Sequence, residues 1–312
     1  MARLLPRSWL FVPGDRADRV EKALASSAEA VIIDFEDSIP RDAKLATRAG
    51  LRGIMKGSTR QNVFVRLNEA TSEWFKDDVQ ALDGVNLAGV LLPMTNSADE
   101  VRTLAELLQR VDTGQWIVPL LESASGIYFA REIAQCSPQV LALAFGAGDY
   151  SLEVGIPKWP VGEQLAFLVP RVTVIIASRV ANLAGALDTP TPTFRDPDSV
   201  RDQSLLAASL GFQGKLAIHP NQVETINSIF RPDAAALKYA QRVVAAFEAA
   251  LAEGRASTSV DGKVVTHTIA EQSAGVIERA SDNIDVGRGP TTSPPGGEPV
   301  NRFKARHPAP RQ

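Results

Sequence analysis

Eight short apolar runs, each followed by a stretch of helical period, constrain this chain more than any other feature. The runs span residues 9–12, 30–35, 62–67, 88–92, 116–121, 140–145, 185–187 and 215–218. Most are continuously apolar rather than alternating, as expected of parallel strands covered on both faces. Between them, Val20, Ala23 and Leu24, then Val101, Leu104, Leu107, Leu108 and Val111, recur at helical spacing, and the longest such stretch covers 163–184. Strands alternating with helices predict an α/β fold, a closed (β/α)8 TIM barrel over residues 1–231; an open doubly wound sheet is the alternative.

From Pro232 the pattern changes. Residues 232–280 are predicted to form a helical arm, with a turn at Asp261-Gly262 and a second helix from about Ile269. Residues 281–312 hold six of the 20 prolines and almost no large apolar side chains, so this tail is expected to be disordered. The 312-residue chain is 45% hydrophobic with a net charge of −3, which argues against nucleic acid or an anionic membrane surface as partner. Cys136 is the single cysteine, and no run reaches the about 20 apolar residues of a membrane helix, so a cytoplasmic protein is expected.

In a TIM barrel, chemistry collects on the loops leaving the C-terminal ends of the strands. The polar residues placed there are Asp34, Glu36, Asp37, Arg66, Asn68, Glu122, Asp149, Asp188 and His219. So many carboxylates in one mouth call for a cation among them. Glu122 and Asp149 end neighbouring strands, and with few His and no motif Cys they describe a hard-metal site, Mg²⁺ above all. Helix capping is the competing explanation for either acid alone. Arg66 is placed to clamp a carboxylate, or to form a salt bridge to Asp34, Glu36 or Asp37, and both can hold. Residues 123–126 open a helix whose amides suit a substrate carboxylate. Gly146 and Gly148 either admit a ligand close to the backbone or simply shape a turn. His219 is either an acid/base or a loop-shaping residue. Lys22 and Lys44 meet phosphate or lie on solvated helix faces.

Taken together, Arg7-Ser8-Trp9-Leu10-Phe11-Val12-Pro13-Gly14, Asp34-Phe35-Glu36-Asp37-Ser38, Val65-Arg66-Leu67-Asn68, Glu122-Ser123-Ala124-Ser125-Gly126, Phe145-Gly146-Ala147-Gly148-Asp149 and the run from Gly211 through Lys215 to His219-Pro220-Asn221-Gln222 resemble the citrate lyase β-subunit-like (CitE-like) proteins of the HpcH/HpaI aldolase group. The resemblance covers about residues 7–280. It implies a TIM barrel, usually a homotrimer, that cleaves or forms a C–C bond in a carboxylate-bearing 3-hydroxyacyl-CoA-type thioester such as a citryl, citramalyl or malyl thioester. By matching motif it places Mg²⁺ on Glu122 and Asp149, the substrate carboxylate on Arg66, and the thioester or CoA against Phe11, Lys22 and the Ile218-His219 backbone. Glu36 and Asp37 match an acidic pair close to the site.

There are two departures. Relatives usually carry Pro-Lys where this chain has Pro93-Met94, and an Asp in the arm where this chain has Thr266 followed by His267. That Asp serves as general acid/base in relatives, so His267 substitutes, another group serves, or the activity differs. A Mg²⁺-dependent thioester hydrolase or condensing enzyme and a partner-dependent non-catalytic subunit are the alternative functions.

Overall fold

The computed structural model describes residues 4–111, 114–156, 165–281 and 284–290. All eight expected strands form: β1 (Ser8–Pro13), β2 (Ala30–Asp34), β3 (Val63–Arg66), β4 (Gly89–Leu92), β5 (Trp116–Leu121), β6 (Ala142–Phe145), β7 (Gly185–Asp188) and β8 (Gly214–Ala217). Each pairs in parallel with the next, and β8 pairs with β1, which closes the barrel and excludes the doubly wound alternative.

Helices α1 (Ala17–Leu24), α2 (Lys44–Met55), α3 (Phe75–Ala81) and α4 (Ala98–Arg110) follow the first four strands in turn. Two short helices, α5 (Ala124–Tyr128) and α6 (Ala130–Gln135), follow β5. Next come α7 (Ala147–Glu153) and α8 (Leu168–Val180) after β6, α9 (Pro197–Leu210) after β7 and α10 (Val223–Phe230) after β8. The first residues of the predicted 163–184 helix lie outside the described residues. Local chemistry explains several helix boundaries. Ser97 and Glu100 form a capping box on α4, while α9 starts at Asp196-Pro197 and stops at Gly211, whose φ of 108° suits glycine.

Alternate strand residues serve two cores. Trp9, Ile32, Phe64, Val118, Leu120, Ala144 and Leu216 fill the barrel interior. Leu10, Val31, Ile33, Val65, Leu121, Phe145 and Ala217 pack against helix residues such as Leu51, Leu104 and Val174. Burial on both faces is why the strands read as continuous apolar runs.

The chain divides into two compact units, one of Leu5–Phe230 with the segment that begins at Asp285, the other of Arg231–Ile284. The second unit is not purely helical. Between α11 (Ala234–Ala252) and α12 (His267–Arg279) lies an antiparallel hairpin of β9 (Thr258–Val260) and β10 (Lys263–Val265). Asp261 and Gly262 both have positive φ, 51° and 73°, as the tight two-residue hairpin turn demands. Val243, Phe247, Val260, Val265 and Ala270 form its core. Thr266 caps α12 in backbone position only, and the His267 ring lies 3.8 Å from Glu271.

Residues 285–290 correct the expectation of disorder from Ser281. Val286 is 1% exposed within the barrel-interior cluster, and its amide donates to Asn62 Oδ1 at 3.1 Å. The buried Trp116 indole N–H needs an acceptor and finds two, the carbonyls of Val286 (3.2 Å) and Gly287 (3.1 Å). Backbone hydrogen bonds and one valine hold this strap, so bulk composition did not reveal it. Residues 291–312 lie outside the described residues. Val286→Ala should cost roughly 1–2 kcal/mol and lower the melting temperature by a few degrees, and truncation after Ile284 should lower it further. Unchanged thermal denaturation in both variants would show that the strap contributes nothing.

Candidate active site

Residues that continue the inward alternation of a strand reach the barrel mouth. Asp34 follows Ile32, Arg66 follows Phe64, and Glu122 follows Leu120, each two residues on. Arg66 donates from Nε and Nη2 to the two Asp34 oxygens, both at 2.7 Å. Its Nη1 meets Glu36 Oε2 at 2.8 Å and Asp37 Oδ2 at 3.1 Å. The Phe11 ring lies 4.9 Å from the guanidinium. Asp34 also accepts from the Glu36 and Ser38 amides and from the Ser38 hydroxyl, so it acts as the acid that orients Arg66.

One guanidinium faces three carboxylates, and the mismatch decides their protonation. Burial would raise Asp34, but the charge and hydrogen bonds of Arg66, with those of Ser38 and the Glu36 amide, hold it below the usual range. Glu36 goes the other way. Burial, with Arg66 opposing and Asp37, Asp34 and Glu69 adding like charge, pushes it to about 8. A cavity of about 370 Å³ opens beside Glu36 and Asp37, walled in part by Lys44, Asn68 and Trp74.

Glu122 is 4% exposed, and its Oε1 accepts from the Met94 amide at 2.8 Å. Met94 has a φ of 44°, in the left-handed region, and that turn aims its N–H at the carboxylate. Gly146 packs flat beneath the same group, where a Cβ would fall 2.4 Å from Glu122 Oε2. The glycine is therefore required by the Glu122 side chain. Asp149, in the first turn of α7 and exposed, lies close enough to Glu122 for the charge of each to act on the other. Burial drives Glu122 well above the carboxylate range, with the Met94 amide opposing and Glu36 adding to the rise. Burial also raises Asp149, helped by Asp37 and opposed by Arg66.

Two neighbouring carboxyl groups, both pushed up, carry the surplus negative charge that a hard divalent cation would neutralise. Among the described residues no cluster of three or more acid, His or Cys side chains joins them. Two protein carboxylates, with water and substrate oxygens completing the shell, suit Mg²⁺. Helix capping does not explain Glu122, because Ser123 caps α5 by accepting from the Gly126 amide at 2.9 Å.

Other expectations fare differently. The Ala124 amide, offered to a substrate carboxylate on the sequence, donates instead to Glu153 at 3.0 Å. Lys44 is neither solvated nor open to phosphate. It is buried and donates to the Phe35 and Glu36 carbonyls and to Asn68, which fastens the β2 loop. Lys22 stands exposed on the last turn of α1. The amides of Ile218 and His219 both donate to Gln222, the His219 ring stacks on Phe194 at 4.5 Å, and its Nδ1 accepts from the Asn221 amide, so His219 shapes its loop. Asp188 leaves the mouth altogether. It shares the outward side of β7 with Ala186, where Arg171 and Lys215 bind it in full burial. Nothing in the sequence signals the Met94 amide contact or the partners Glu153 and Arg171, since all of them depend on pairing across loops.

The raised carboxyls make a prediction for the metal-free protein. Their folded pKa values exceed the unfolded value, 4.5 for a glutamate, so stability is fully present below that value and falls as pH rises toward about 8. Each such group contributes a slope of up to about 1.4 kcal/mol per pH unit. A cation at the pair replaces the protons, so its stabilising effect should grow over the same interval. Glu122→Gln should flatten the slope. Melting curves in chelator that show the same pH dependence with and without Glu122 would contradict this account.

The HpcH/HpaI aldolase/citrate lyase family model matches residues 7–220. A citrate lyase subunit beta-like protein of Deinococcus radiodurans is 36% identical over 84% of this chain and 92% of its own length. A (3S)-malyl-CoA thioesterase of Cereibacter sphaeroides is 33% identical over 83% of this chain and 89% of its own. The crystal structure of CitE from Mycobacterium tuberculosis with magnesium, acetoacetate and coenzyme A superposes with a TM-score of 0.74 at 26% identity, covering 90% of this chain and 99% of that one. With the family model spanning most of the barrel and the Deinococcus protein aligned along most of both chains, this chain belongs to the HpcH/HpaI aldolase/citrate lyase family.

Proposed function

We propose that the chain is a Mg²⁺-dependent carbon–carbon lyase. Its substrate is a 3-hydroxyacyl-CoA-type thioester bearing a carboxylate, of the citryl, citramalyl or malyl kind, and its products are a keto acid and an acyl thioester. The observation that carries this reading is that Glu122 and Asp149, both raised and each acting on the other's charge, share one mouth with Arg66. Family membership and the magnesium and coenzyme A bound by the Mycobacterium protein support it.

When bound, Mg²⁺ supplies Lewis-acid polarisation of the substrate oxygens. Asp34 locks the Nε/Nη2 edge of Arg66, so the guanidinium keeps its orientation while its Nη1 is open to competition. An incoming carboxylate displaces Asp37, the exposed partner held at 3.1 Å. In the cleavage direction the substrate hydroxyl passes its proton to water, its carbon becomes a carbonyl and the adjacent C–C bond breaks. The electron pair goes to the carbon next to the thioester, which then takes up a proton. Glu36, whose carboxyl burial pushes up to about 8 in the metal-free protein and which lies beside Arg66, is the group in this chain that can deliver it. That assignment takes the place of the arm acid that Thr266 lacks. Phe11, Lys22 and the 218–219 segment complete the proposed thioester and CoA contacts.

A thioester hydrolase is the second reading, favoured by the likeness to the Cereibacter thioesterase. The trimer remains part of the proposal, supported by the exposed apolar side chains of Tyr128, Leu152 and Val169, each over 70% accessible. No helix among the described residues is long and apolar enough to cross a membrane, and a cytoplasmic location is proposed.

Incubating purified protein and Mg²⁺ with a panel of hydroxyacyl-CoA esters, with products read by mass, tests the activity. A shortened acyl thioester supports the lyase, an intact carbon skeleton the hydrolase, and no product from any ester refutes both. Glu122→Gln should abolish turnover. Arg66→Lys should be nearly as harmful as Arg66→Ala, because one ammonium cannot reproduce the planar fork held by Asp34; an active Lys variant would reduce Arg66 to a simple charge. Glu36→Gln should lower kcat by about 100-fold or more, while His267→Ala leaves it nearly unchanged, and the reverse result would move the proton donor to the arm.

A further inference from the structure

Helix α7 carries Asp149 but lacks a side-chain cap of its own, because its N-cap residue is Gly146. Gly146 cannot be exchanged for a capping residue, since any Cβ there would strike Glu122. The first two amides of this corner are nevertheless satisfied from neighbouring strands. Gly146 N donates to Leu121 O at 3.0 Å, beside Glu122, and Ala147 N donates to Thr189 Oγ1 at 3.0 Å. Thr189, the residue after β7, is 1% exposed, and Ala147 is fully buried, so the amide has no evident route to solvent.

Behind Thr189 stands the buried ion cluster. Lys215 Nζ donates to the Thr189 carbonyl at 2.5 Å and to Asp188 Oδ2 at 2.9 Å, and Arg171 Nε binds Asp188 Oδ1 at 2.9 Å. All of these side chains are at most 1% exposed. Three charged groups held without water fix the backbone of β7 at the point from which the Thr189 hydroxyl reaches across to α7. At the far end of α7, Glu153 accepts from the Ala124 amide, so the helix is tied to the β7 loop at one end and to the β5 loop at the other.

We propose that Thr189 is a positioning residue for the metal centre. Its hydroxyl supplies, from the next strand, the cap that α7 cannot carry itself, and so sets Asp149 at the distance from Glu122 that a small divalent cation requires. Lys215 acts one step further back by holding Thr189. This inference rests on the assignment of Glu122 and Asp149 as the Mg²⁺ carboxylates. It predicts that metal affinity is governed by a hydroxyl bonded two residues ahead of Asp149 on the ligand helix but some 40 residues from it in sequence.

The test is calorimetric titration of Mg²⁺ into metal-free protein, with the melting temperature of each variant measured in chelator. Thr189→Val keeps the shape and removes the acceptor, and Mg²⁺ affinity should fall roughly 10- to 100-fold, the usual effect of losing an outer partner of a metal ligand. Thr189→Ser keeps the hydroxyl and should bind Mg²⁺ as the wild type does, and saturating Mg²⁺ should restore most of the turnover of the Val variant. If Thr189→Val fails to fold, Ala147→Pro deletes the same hydrogen bond from the donor side. Proline suits a first helical position, and Gly146, at φ −109° and ψ 99°, has the extended backbone that must precede it. Wild-type Mg²⁺ affinity in Thr189→Val or Ala147→Pro, with or without a lower melting temperature, overturns the positioning role and leaves a merely structural hydrogen bond. Wild-type affinity in Glu122→Gln would instead overturn the metal assignment itself.

Discussion

Closure of eight parallel strands gives each of them two faces, one toward the barrel axis and one toward the helices, and successive residues alternate between them. The placement of the strand-borne residues of the site follows from that alternation. Asp34, Arg66 and Glu122 are each in step with inward-facing residues of their own strands and emerge together at the mouth. Gly146 is in step with Ala144 and comes to lie under Glu122. Asp188 and Lys215 are out of step, so they meet Arg171 of α8 behind the barrel wall. A one-residue shift in β7 would exchange the roles of Asp188 and Thr189 and destroy both the ion cluster and the cap on α7.

Within the mouth, charge is deliberately unbalanced. Arg66 neutralises Asp34 fully, through two parallel hydrogen bonds, and the remaining acids compete for what is left. Where the carboxyl groups are buried, as at Glu36 and Glu122, the surplus negative charge is relieved by protons or by a metal, and the two are interchangeable. The same imbalance that raises Glu36 also raises the Glu122–Asp149 pair.

The strands and their order were legible because burial on both faces leaves uninterrupted apolar runs, and the mouth residues were legible because they end those runs. Glu122 and Arg66 could be placed from sequence for this reason, whereas Asp149, expected to end a strand, sits in the first turn of α7, four residues past the end of β6. What pairs with what was not legible. Lys44 reads as a solvated helix residue until Asn68 and two carbonyls converge on it. Thr189 reads as a loop residue until the bare N-terminus of α7 arrives beside it. The hairpin at Asp261-Gly262 had a readable turn, but its three-residue strands are too short to show alternation. The strap at 285–290 was hidden by its composition, because backbone groups make most of its contacts.

That strap reorders the assembly of the molecule. The Trp116 indole and the Val286 carbonyl are 170 residues apart in sequence, and the whole Arg231–Ile284 unit lies between β8 and the residue that seals the barrel floor. As the chain emerges from the ribosome, all eight strands are present before the floor can be finished. Until some 70 further residues follow β8, the Trp116 indole N–H lacks the two strap carbonyls that accept from it. The last step of folding is thereby tied to completion of the second unit, so a chain that stops short of Val286 carries its own mark of being unfinished.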